Sequence, residues 1–245
     1  MARVSGATSK VYVDEFDFSG YTNSINLAFT NNLPEVTCFS DTALEFVEGL
    51  PSATATINGF FDTTDNGYDE QMFVNIGDGA KHYLGLFPGS DASHGDIGYE
   101  LQAQVSSQPR PTEVAGAVLL NCDWTSEGGI YRATSMANAA VSGTGAIANS
   151  NKNLGTTSAN TVFVATIRCI AFDGTTITVR VQESSDDGSG DAYADIAGLT
   201  TTLTAIGVTR VSTTSATEAW KRVNIQAFTG TSMTILVTCG TESGT

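Results

Sequence analysis

The stretch "DTTDNGYDEQMF" puts Asp62, Asn66 and Gly67 at the first, fifth and sixth positions of an EF-hand-type calcium loop. Such a loop closes on a bidentate Glu at its twelfth position, where this chain has Phe73, and Thr64 stands at the third. The acids therefore read as the start of a helix rather than a calcium cage. "ESSDDGSGDAYAD", Glu183 to Asp195, is denser in carboxylates and suits a weak surface cation or, on the plainer reading, a solvated hairpin loop. His94, with Asp91 and Asp96 beside it, has the residue types of a base and its orienting carboxylate, but in a Gly-flanked loop it reads as exposed. There is no GxSxG elbow and no phosphate loop of the G-x-x-x-x-G-K-[ST] type. Trp124 and Trp220 could serve as sugar platforms, yet each adjoins a strand pattern and reads as core or interface. No catalytic, cofactor-binding or metal-binding set emerges, and the chain reads as non-enzymatic.

Composition points the same way. In 245 residues there are 25 Gly, 5 Pro and 15% charged side chains, with 41% apolar residues and many Thr and Ser. β-Branched residues between Gly/Asn/Asp turn signals argue for antiparallel sheet and against disorder. The net charge of −15 is unevenly held: residues 1–140 carry 5 basic and 18 acidic side chains, residues 141–245 carry 6 and 8. With no basic cluster beyond Lys221-Arg222, gripping DNA phosphates is excluded, and the acidic first part would repel them. Cys38, Cys122, Cys169 and Cys239 form no CxxC pair and read as reduced, mostly buried thiols. No apolar run reaches the roughly 18 residues a membrane span needs, and a soluble protein assembled in a cytoplasm is expected.

Alternation predicts a strand in "SKVYVDEFDFSG" turning at Ser19-Gly20, and a second in "TNSINLAFTNN". The connection from Asp41 to Pro51 carries Leu44, Phe46, Val47 and Leu50, and so apolar a connection must be covered by its own domain or by a partner. A strand over roughly Ala53 to Phe61 follows. Next comes a helix capped by Asp65 or Asn66, ended by Gly77, with Tyr68, Met72, Phe73 and Ile76 on one face. After further strands, residues Ala133 to Asn160 contain no aromatic and mark a linker or boundary. Beyond it, alternating segments separated by turns such as Asp173-Gly174 and Gly230-Thr231 predict a small antiparallel sandwich.

The run of Tyr12-Val13-Asp14, Asp17-Phe18-Ser19-Gly20, Thr22-Asn23, Ser40-Asp41-Thr42, Glu45-Phe46, Glu48-Gly49-Leu50 and Gly59-Phe60-Phe61-Asp62 resembles the major tail tube proteins of long-tailed (siphovirus-type) bacteriophages. "VRVQESSDDGSGDAYADIAGLT" and "WKRVNIQAFTGTSMTILV" resemble the β-sandwich added after the tube domain in such virion proteins, with Tyr193 where Trp is usual. The resemblance implies an all-β, mainly antiparallel fold: a tail-tube β-sandwich or rolled barrel with one flanking α-helix, followed by a smaller immunoglobulin-like β-sandwich. The tube domain would span 1–138 and a small-residue linker or first strand 139–158. A C-terminal sandwich, 159–245, would lie on the outer surface. It further implies rings, six to a ring, stacked into a hollow tube in the virion tail through which genomic DNA passes without specific binding. Self-association, other tail proteins (tape measure, tail terminator, distal tail) and no membrane complete the expected partners.

On that basis Phe39, Leu44, Phe46, Val47 and Leu50 are expected to contact an adjacent ring. Phe60 and Phe61, on opposite faces of one strand, divide between the core and a neighbouring copy, and Gly59 admits a close backbone or a bulge. The C-terminal domain is a candidate for host attachment. Two other classes fit the composition: a capsid decoration protein or adhesin-like binding module, and a hydrolase working through surface carboxylates.

Overall fold

In the computed structural model, which describes residues 6–40, 42–62, 64, 67–112 and 116–242, the chain is all-β apart from one short α-helix and a 3-10 turn. Its strands join into one 14-stranded antiparallel sheet. "SKVYVDEFDFSG" forms two strands rather than one, β1 (Lys10–Val13) and β2 (Phe16–Asp17). The chain reverses at Asp14, which has a left-handed φ of 50°. An Asp enters that region at less cost than most residues. Here Asp14 accepts the Tyr83 amide at 2.8 Å and pairs with His82 Nδ1 at 2.7 Å.

Seven strands make the first layer. β3 (Thr22–Asn31) and β4 (Pro51–Phe60) form a hairpin, and α1 (Tyr68–Val74) leads to β5 (His82–Phe87), β6 (Ile97–Ser107) and β7 (Leu119–Ser126). Their order, β2-β1-β5-β6-β7-β4-β3, curls far enough that Val11, Leu84 and Leu86 share one core with Ala55, Ile57, Cys122 and Trp124. The helix closes this core with Tyr68 and Met72, whereas Phe73 and Ile76, expected on the same face, are exposed. The reason is geometric. Tyr68 and Met72 stack one turn apart, Phe73 is rotated away under the Arg110 guanidinium (5.5 Å), and Ile76 lies past the helix end. The expected caps Asp65 and Asn66, like Asp41 of the connection, lie outside the described residues; Gly67 occupies the N-cap.

The second layer is built from two strands of 22 residues, β11 (Phe163–Ser184) and β14 (Trp220–Thr241). The turns expected at Asp173-Gly174 and Gly230-Thr231 are instead bends inside these continuous strands. Register shifts cluster there, and Gly174 faces Gly230 so closely that a Cβ on either would meet opposing backbone at 2.6 Å. The bend lets the ribbon fold over itself. Ala165 and Ile167 before it share one core with Ile177, Val179 and Val181 after it. β12 (Ala194–Leu203) and β13 (Gly207–Thr213) flank β11 at its two ends. The aromatic-free segment first runs as β8 (Tyr131–Val141) between β6 and β14, then as the two-residue strands β9 (Gly145–Ala146) and β10 (Lys152–Asn153) along β14. Small side chains suit β8, because it is buried where the layers meet.

Candidate assembly surface

The chain between β3 and β4 is a continuation of their hairpin. The Gly49 amide donates to the Asn32 carbonyl (2.7 Å), Val47 to Pro34 (3.0 Å) and Val36 to Glu45 (2.9 Å), with a bridge at Glu35–Phe46. Gly49 is required at its rung, since a Cβ there would lie 2.6 Å from the Asn32 oxygen. The result is a two-stranded arm that leaves the sheet at Asn31 and Pro51. Of its described residues, 32–50, all but Thr37 and Gly49 are exposed. Leu33, Val36, Phe39, Leu44, Phe46 (54% exposed), Val47 and Leu50 (86%) all stand in solvent. A lone hairpin is marginal in water, and each such side chain gains about 1.5–3 kcal/mol on full burial. This arm therefore carries an unmet demand for cover.

The rest of β3 is an edge. It pairs with β4 and, among the described residues, with no other strand, which leaves the amides and carbonyls of alternate residues along its outer side open. Between β3 and the Gly6–Ser9 and Pro88-Gly89 segments lies a groove of about 910 Å³ of mixed lining, with Ser19, Asn23 and Asn26 beside Ile25, Leu27 and Phe29. At the far end of β4, Phe60 is 45% exposed and Phe61 half-buried; neither belongs to a core cluster. Gly59 does admit a close backbone, but it is the chain's own: a Cβ would sit 2.8 Å from the Tyr21 carbonyl and 2.7 Å from the Tyr68 ring. A register shift on β3 lies opposite.

The residues weighed for chemistry are occupied otherwise. Asp186 accepts the Ser189, Gly190 and Asp191 amides (3.0, 2.6 and 3.1 Å), Asp191 accepts Ser185, and Asp187 accepts Tyr193 Oη (2.7 Å) and Asn151. These bonds hold all three carboxyls below the usual carboxylate range. Asp186 and Asp191 thus tie the loop itself, while Glu183 accepts the Glu218 amide (2.8 Å) and Asp195 accepts Gln182 Nε2 (2.7 Å) and pairs with Arg180. Asp91 and Asp96 both accept the Ser93 amide, while His94 is exposed. Trp124 is buried, edge-on to His82 at 5.7 Å, and Trp220 is half-buried. No three His, Cys, Asp or Glu among the described residues are grouped to hold a metal. None of the four cysteines forms a disulfide; Cys38 is exposed and the others are buried.

Sequence reasoning missed the joint between the layers. Arg168 of β11 is fully buried and makes a bidentate pair with Glu100 of β6 (2.6 and 2.7 Å). Its Nε donates to the Asp14 carbonyl (2.8 Å) and Nη2 to the Tyr83 carbonyl (3.2 Å). Glu100 also accepts Thr238 Oγ1 of β14 (3.0 Å). Every nitrogen of the guanidinium and both carboxylate oxygens thus have a partner, which buried charges require. Gly85 makes room: a Cβ there would approach the guanidinium and the carboxylate to 3.0 Å. On the outer side His82 lies between Asp14 and Asp78 (3.2 Å). Burial pushes its imidazole down, but hydrogen bonds and charge from Asp14 and Asp78 prevail and raise it. The available signal was a single charge inside an apolar run, in "TIRCIAF" and "GYELQA".

No family model and no curated protein matches the chain. Among solved structures it is similar to a chain in the virion of a native gene transfer agent particle (15% identity, 54% of this chain and 98% of that one, TM-score 0.43). It is also similar to the SPP1 Dit protein, described as a paradigm of the hub adsorption apparatus in phages infecting Gram-positive bacteria (11%, 95% and 98%, TM-score 0.40). A third is a chain of the phage p2 baseplate in its strontium-bound activated conformation (9%, 94% and 97%, TM-score 0.35). Identities and scores at this level describe a partial likeness and carry nothing about activity or partners.

Proposed function

We propose that this protein is a structural subunit of a phage-type virion tail, and that its copies stack as rings, six to a ring on the family resemblance, into the hollow tube that conducts the genome. The observation that carries this reading is the arm: a hairpin with no core of its own and seven exposed Val, Leu and Phe side chains. The open edge of β3 supports it further, because ring neighbours that pair edge to edge would close a larger barrel and satisfy those backbone groups. The acids concentrated in residues 1–140 would face the lumen and let DNA pass without adhering. Residues 159–245, nearly neutral, would face outward, where attachment to the host surface is their proposed task. Tape measure, terminator and distal tail proteins would meet the ends of such a tube.

The arm is tested by replacing Phe46 and Val47 together with Asp. The variant is expected to keep its melting temperature yet sediment only as single subunits or unstacked rings. Tubes of normal yield from this variant would remove the arm from the assembly contact.

A further inference from the structure

A second cavity, about 420 Å³, opens at the root of the arm between Thr30-Asn31 and Pro51-Ser52 on one side and the start of β8 on the other. Phe29, Tyr99 and Ile130 line it, with Phe29 and Tyr99 in tilted contact at 5.3 Å. Arg132 stands at its rim, exposed, and makes no ion pair among the described residues, in a chain where acids outnumber bases 26 to 11. Glu48 faces the same cavity, but its carboxylate accepts from Asn31 Nδ2 (3.1 Å). The cavity thus offers aromatic walls and one uncommitted cation. At the other end of the arm, Phe39 is fully exposed, and Glu35 and Glu45 flank the tip with no cationic partner among the described residues.

Resting on the assembly reading above, we infer that this cavity is the socket for the arm of the next copy, with Phe39 entering against Phe29 and Tyr99 and Glu35 or Glu45 meeting Arg132. The two surfaces match in chemistry, apolar to aromatic and anion to cation. They also lie at opposite ends of the same arm. A contact between one copy's tip and the next copy's root is heterologous and leaves a free tip at one end and a free root at the other, so where its rotation does not close a ring it propagates along an axis. Arms laid tip to root would link successive rings, while the β3 edge serves neighbours within a ring.

The test is a charge exchange in the full-length protein, read by electron microscopy and sedimentation. Arg132→Glu alone and Glu35→Lys with Glu45→Lys should each lower tube yield at least tenfold, and the three substitutions combined should restore most of it. As a measure independent of charge, Thr30→Cys places a thiol at the socket within reach of a neighbour's native Cys38. Mild oxidation of assembled protein should then give a ladder of covalent oligomers whose linking peptides join positions 30 and 38. If the wild type forms tubes but the exchange restores nothing and no such linkage appears, the socket is wrong and the assembly reading stands. Normal tube yield from Arg132→Glu assigns the cavity another occupant and overturns the proposal. A wild type that forms no rings or tubes overturns both.

Discussion

The ribbon of β11 and β14 and the arm between β3 and β4 are both long antiparallel pairs, and they solve the same problem in opposite ways. The ribbon bends at Gly174 and Gly230 and covers its own apolar face, so that Ile167, Val179, Val223 and Val237 are all buried. The arm has the same kind of side chains, Leu44, Phe46, Val47 and Leu50, and leaves them in water. A hairpin that can fold back covers its apolar side chains itself, whereas one that runs straight out of the sheet leaves them exposed. On the assembly reading proposed above, the contrast separates the part of the chain that makes the subunit from the part that would join subunits.

That contrast can be broken first at the joint. Truncating Arg168 to Ala leaves Glu100 buried and unpaired, and should cost about 3–5 kcal/mol in denaturant unfolding. Replacing both residues by Leu or Met should recover much of that loss, since a well-packed apolar pair avoids desolvating two charges. A joint that tolerates Arg168→Ala would mean the layers are held by packing alone. Gly59→Ala comes next. Its methyl group would enter the space of the Tyr68 ring and the Tyr21 carbonyl, with an expected cost of about 1–3 kcal/mol in thermal melts.

A smaller effect belongs to His82. Its imidazole is raised by Asp14 and Asp78 in the folded chain, so its stabilisation is complete below the unfolded value of about 6.5 and is lost as pH rises through the folded value. Melting temperatures should therefore fall more steeply across neutral pH in the wild type than in His82→Gln. Equal pH profiles would show that the Asp14–His82–Asp78 contact does not titrate with folding. The smallest effect on stability, within about 0.5 kcal/mol, is expected from Phe46→Asp with Val47→Asp, because those side chains touch no core.

How much of this was readable without coordinates differs by residue. Alternation in "SATATING" and "TVFVATIR" located strands correctly, because a half-buried sheet imposes period two. The arm was visible as an apolar connection with nothing obvious to cover it, although its hairpin ladder was not. Two features were misread for one cause: Asp14 turns the chain and Gly174 does not, since each answers to a distant partner, His82 and Tyr83 for the first and Gly230 for the second. The same holds for Arg168 and Glu100, separated by 68 residues, which periodicity within either strand cannot pair. Local pattern reports which face is buried and is silent on what lies against it.

Electron microscopy of the purified wild-type protein across concentration and ionic strength tests the central claim most directly. Salt screens the mutual repulsion of subunits carrying a net −15, over about 10 Å at 0.1 M, and should therefore favour association through the arm and the β3 edge. Hollow tubes or six-fold rings that lengthen as salt is raised are the predicted result. Monomers or trimers alone under every condition would contradict it and assign the chain to capsid decoration or to an adhesin-like binding module.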